Sequence, residues 1–78
     1  LKSTGQIIGE SDLQYRRYLQ NLVNGQSKFI ISLEETAESL PNMAQQLSEV
    51  IADNRLILEE YQVRLRGELN RALSSKKD

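Results

Sequence analysis

The chain has 78 residues, enough for one domain but too few to guarantee a self-sufficient core, because a chain this short buries only a modest fraction of its surface. With 38% apolar and 27% charged residues and a net charge of -1, it reads as a folded helical chain rather than a disordered one; its longest apolar runs, Phe29-Ile30-Ile31 and Leu56-Ile57-Leu58, fall far below the roughly 18 residues that cross a bilayer. Zero cysteines exclude disulfides and thiolate metal sites, and zero histidines remove the commonest general base and metal ligand.

In chain order, residues 1–10 carry Gly5, Gly9 and a Ser-Thr pair around one apolar doublet, Ile7-Ile8, and are expected to form a flexible or extended lead. Ser11 followed by Gln14 is a capping-box signature, and Asp12 complements the helix dipole, so the first helix is expected to start there. Its stripe is Tyr15, Leu19, Leu22, Gln26, Phe29, Leu33, Thr36 and Leu40, stepping by four and three alternately along one seam. Asn24-Gly25 is the weak place in that run, where a turn pair could interrupt the helix.

Pro41 punctuates the chain. A proline costs about 3 kcal/mol inside a helix but sits well in a first turn, so a turn is expected over residues 39–42 with Ser39 as the N-cap of a second helix. The second stripe is Ala44, Leu47, Ile51, Asn54, Leu58, Tyr61 and Leu65, continuing less cleanly through Leu69 and Ala72, with Glu68 on the strict position. The helical hairpin thus spans residues 11–73, and residues 74–78 form a polar, lysine-bearing end that frays.

Folding the chain so that paired numbers sum to 80 sets Leu33 against Leu47, Phe29 against Ile51, Gln26 against Asn54, and Leu22 against Leu58. The one amide on each seam then meets the other. An unpaired buried amide costs about 1 to 3 kcal/mol, so a Gln26–Asn54 layer would penalise slipped registers. The predicted fold is all-α: an antiparallel two-helix coiled-coil hairpin, assembling into a four-helix bundle as a dimer or with a partner.

The seam is narrow for a chain of this length, and apolar side chains continue beyond it. Val23, Ile30 and Ala37 are expected to widen helix one on one side, and Met43, Val50 and Ile57 to widen helix two on the other. Ile31, Leu56 and Val63 lie further out, and Leu56 and Val63, one heptad apart, form a candidate partner-binding strip.

Catalytic chemistry finds no purchase. Glu34-Glu35-Glu38, Glu49-Asp53 and Glu59-Glu60 fall mainly on outward positions, and no Glu-x-x-His or glycine-rich phosphate loop accompanies them. No enzyme activity, cofactor, metal or small-molecule substrate is expected. Arg16, Arg17, Arg64 and Arg66 gather at the open end as weak anionic-docking candidates, but an acidic pI near 5.4 and few aromatics argue against nucleic acid and membrane as partners.

The expected role is a noncatalytic assembly module, a coiled-coil scaffold subunit binding a second copy of itself or a heterologous helical protein. A second expectation is an effector-type hairpin recognising a globular regulator such as a small GTPase, by architectural analogy alone. The absence of cysteine suits a reducing compartment, and the expected location is cytoplasmic. Since residue 1 is leucine, targeting segments can lie outside this sequence.

Overall fold

A computed structural model describes residues 4–76, with side chains for 10–74. It is all-helical: α1 spans Thr4–Ser39, a 3-10 turn spans Pro41–Met43, and α2 spans Ala44–Lys76. The two helices pack against each other as an antiparallel hairpin measuring 59 × 23 × 12 Å. Its radius of gyration is 17.8 Å, against about 12 Å for a compact chain of equal length. The molecule is therefore a flat rod, with nearly every residue within one side chain of its surface.

The reversal follows from Pro41. The ring of a proline disfavours the α conformation in the residue before it, and Leu40 accordingly sits at φ -127°, ψ 72°. That single non-helical residue ends α1. The Leu40 N–H still reaches back to the Thr36 carbonyl at 2.9 Å, and the Leu40 carbonyl accepts from the Met43 N–H at 2.9 Å. Pro41 occupies the first position of the new turn, where it has no N–H to leave unpaired. Leu40, not Ser39, is thus the N-cap residue, and no side chain caps it.

Helix one also begins earlier than its capping signature suggests. Residues 4–10 are helical rather than extended, and Ser11 lies within α1. Gly5 and Gly9 each cost about 1 kcal/mol in a helix, but propagation from an established helix adds a hydrogen bond with every residue fixed. Residues 1–3 of the expected lead and 77–78 of the C-terminal segment lie outside the described residues. Gly25 does not interrupt the helix either. It carries no positive φ, and nothing lies within 4 Å of where a Cβ would stand.

The seam of α2 falls on Ala44, Leu47, Ile51, Asn54, Leu58, Tyr61, Leu65, Glu68 and Ala72, all buried or half-buried, while Leu69 is exposed. The seam of α1 is rotated from the expected stripe. Leu19, Gln26 and Leu33 are on it, but the positions between them are Arg16, Val23, Ile30 and Ala37 rather than Tyr15, Phe29 and Thr36. Leu19 is 1% exposed, Ile30 5% and Ile51 8%, and these are the buried apolar residues among those described. Phe29, one residue from Ile30, is 50% exposed.

Size accounts for the choice. Val23, Ile30 and Ala37 are compact and let the helix axes approach, whereas Tyr15 and Phe29 would hold them apart. Arg16, half-buried, lies on the same side of α1.

Two consequences can be measured. Ile30→Ala is expected to destabilise the chain by about 2 to 4 kcal/mol in urea unfolding, and Ile31→Ala, at an exposed site, by less than about 0.5 kcal/mol; equal effects would reject the rotated seam. Gly25→Ala is expected to raise stability by up to about 1 kcal/mol, since the added methyl meets nothing and the helix gains propensity.

Candidate functional site

Among the described residues, an amide pair links the two helices inside the seam. Gln26 Nε2 donates to Asn54 Oδ1 at 2.8 Å and to the Asn54 carbonyl at 3.2 Å. Asn54 Nδ2 in turn donates to the Val50 carbonyl one helical turn back, at 2.7 Å. The Asn54 amide is thereby oriented from both ends, with its oxygen aimed at α1. Both residues are half-buried, and no buried side-chain polar atom among the described residues lacks a partner.

The two long edges of the hairpin differ in chemistry. On one edge Glu34, Ala37 and Glu38 of α1 meet Ala44, Ser48, Ile51, Ala52 and Arg55 of α2 around a shallow groove. Arg55 crosses it to Glu34 at 3.4 Å. This edge is charged and small. Such a solvated ion pair contributes at most about 1 kcal/mol.

The opposite edge follows from helical geometry. On α1, Glu34 and Glu38 lie to one side of the seam, so Tyr15, Leu22 and Phe29 lie to the other; on α2, Ser48 and Arg55 lie to one side, so Met43, Val50 and Ile57 lie to the other. Because Glu34 and Arg55 share an edge, the two apolar stripes share the remaining one. Tyr15, Phe29, Met43, Val50 and Ile57 are all exposed there, Leu22 is half-buried, and Leu40 is exposed at its turn end. Apolar width was expected on both flanks, and it is gathered on one instead.

The individual sequence-predicted residues divide accordingly. Met43, Val50 and Ile57 lie on the apolar edge. Ile30 and Val23 are not available to a partner, since Ile30 is buried and Val23 half-buried in the seam; the same rotation exposes Phe29 and Tyr15 in their place. Ile31 stands exposed on the outer side of α1. Leu56 and Val63 are exposed on the back of α2, flanking a shallow groove with Glu59, Glu60 and Arg64. No residue of α1 lines that groove.

The arginines are likewise separated. Arg16 is half-buried in the seam, while Arg17, Arg64 and Arg66 are exposed. Arg71 bridges the two helices, reaching Glu68 at 2.6 Å and Asp12 at 3.2 Å. Its bonds to Glu68 and then to Asp12 push the guanidinium above its ordinary value. Among the described residues, no group of three or more acidic, histidine or cysteine side chains could hold a metal ion, and no helix is long and apolar enough to cross a membrane.

No family model, curated protein or solved structure matches the chain.

The amide link can be tested by a double-mutant cycle. Asn54→Leu alone is expected to cost about 1 to 2 kcal/mol, because it removes the acceptor facing Gln26 Nε2. Adding Gln26→Leu is expected to recover that loss while admitting further assembly states, visible as a broadened mass distribution in sedimentation. Additive effects with an unchanged distribution would show that the amides do not set the register.

Proposed function

We propose that the chain is a noncatalytic assembly module, a hairpin subunit that works by packing its apolar edge against another helical surface. The observation that carries this reading is the one-sided display of Phe29, Met43, Val50 and Ile57 beside a core whose buried described residues are Leu19, Ile30 and Ile51. Isolated exposed apolar residues are ordinary, but a contiguous stripe on both helices of one edge is the pattern of an interface. In a four-helix arrangement each helix buries two flanks, and this edge supplies the second flank of both α1 and α2.

A second reading places the interface on the back of α2, where Leu56 and Val63 frame their groove. A single-helix strip of that kind suits a globular regulator approaching from outside the hairpin. Its apolar content is smaller, and it engages one helix only.

Paired substitutions separate the two. Phe29→Ser with Val50→Ser is expected to abolish association in the native source, read by copurification and mass spectrometry, and to lower the helical circular dichroism of the isolated chain wherever that chain self-associates. Leu56→Ser with Val63→Ser is expected to leave the associated species in place. The reverse pattern would transfer the interface to the back of α2. In solution, the isolated chain is expected either to self-associate or to remain partly unfolded. A fully helical, cooperatively folded monomer at micromolar concentration would refute the assembly reading itself.

A further inference from the structure

We propose that Asn24 is a site of spontaneous deamidation gated by the opening of α1, and that its isoaspartyl product releases the amide layer holding the two helices in register. Chemistry, gate and consequence rest on separate observations.

The chemistry is set by the next residue. The backbone nitrogen that follows an asparagine attacks Cγ of its side chain: a new C–N bond closes a succinimide ring, the Cγ–Nδ2 bond breaks, and the amide leaves as ammonia with the proton of the attacking N–H. Water then opens the ring at either carbonyl, giving aspartate or isoaspartate. A side chain on the following residue hinders the attack, and glycine has none. Asn24 is followed by Gly25, whereas Asn21, Asn42, Asn54 and Asn70 are followed by Leu22, Met43, Arg55 and Arg71. Asn24 and Gly25 are both exposed, and nothing lies within 4 Å of where a Gly25 Cβ would stand. The ring and the attacking water have room.

The gate is the helix. Within α1 the Gly25 N–H is turned toward the carbonyl four residues back, and a planar succinimide needs Asn24 ψ outside the α region. Gln20 Nε2 also donates to Asn24 Oδ1 at 3.0 Å, holding the side-chain amide against the preceding turn. Ring closure therefore waits on local opening. Asparagine and glycine are both weak helix formers, so the helix opens most readily where the reaction needs it.

The consequence depends on which product forms. Aspartate keeps the backbone, keeps an oxygen for Gln20, and gains an i,i+4 pairing with Lys28. The helix accommodates it. Isoaspartate routes the main chain through the side chain and adds a backbone methylene, so the hydrogen-bond ladder falls out of step at residue 24. Two residues on lies Gln26, whose Nε2 meets Asn54 Oδ1 at 2.8 Å, and beyond it the buried Ile30. An out-of-step α1 carries both from their levels. Modified chains thus mark time spent with α1 open.

Incubating the full chain at neutral pH across a urea series tests the site and the gate, with deamidation followed by peptide mapping and helicity by circular dichroism in the same samples. Modification is expected at Asn24 alone, its rate rising as helix is lost, by about tenfold or more between the most helical and the fully unfolded sample. A rate that stays flat while helicity falls overturns the gate, and equally fast modification at Asn42 or another asparagine overturns the site. For the consequence, the isoaspartyl chain is separated by chromatography and compared with the variant Asn24→Asp. The isoaspartyl chain is expected to unfold at lower urea and to show the broadened sedimentation distribution of a chain without its amide layer, while Asn24→Asp keeps the midpoint and distribution of the unmodified chain. Identical behaviour of the two, whether or not it departs from the unmodified chain, overturns the release of the register.

Discussion

The structure depends on what Pro41 forbids. By denying Leu40 the α conformation it confines the chain's one non-helical residue between α1 and α2 to a single position. Two helices of 36 and 33 residues are then folded back along each other with no slack. Everything else about the hairpin is a consequence of lying side by side over that length. Each residue of one seam acquires a fixed opposite number, and a pair of amides can meet only if the turn delivers them to the same level, as it does for Gln26 and Asn54.

The same geometry limits what the hairpin can bury. Two helices in contact along one line shelter one stripe each, so a chain with apolar residues on more than one stripe must leave some outside. Here the seam takes the compact residues, Val23, Ile30 and Ala37, and displaces the bulkier Tyr15 and Phe29 to the edge. The edge that receives them is also the one carrying Met43, Val50 and Ile57. The opposite edge, with Glu34 and Arg55 bridging two short alanine positions, is finished against water. An asymmetry of this kind turns a narrow core into a directional surface, which is the link between packing and the assembly role proposed for the chain.

Much of the fold was legible before any coordinates. The turn at Pro41, two helices, the hairpin they form and the phase of α2 could be read because a single heptad run from Ala44 to Ala72 has no apolar competitor of equal strength. The phase of α1 could not. Two runs one residue apart, Tyr15-Leu22-Phe29-Thr36 and Arg16-Val23-Ile30-Ala37, both keep heptad spacing beside Leu19, Gln26 and Leu33. The decision rests on how closely two axes can approach, a property of the pair that no single stripe encodes. The candidate surface was misjudged for the same reason: assigning Ile30 to the flank and Phe29 to the core placed apolar width on both edges instead of one. Ser11 misled differently, since a capping signature marks where a helix can start but has no force inside one that already continues.

We propose that this hairpin completes its core with another helical surface across the Phe29–Val50 edge. Folding and association are then one equilibrium, so the isolated chain either self-associates, with a thermal midpoint that depends on concentration, or stays partly unfolded. The direct measurement is circular dichroism melting of the isolated chain over a hundredfold range of concentration. The account predicts a midpoint that rises steadily with concentration, or a chain that is only partly helical throughout. A fully helical chain whose cooperative midpoint stays constant over that range would contradict it.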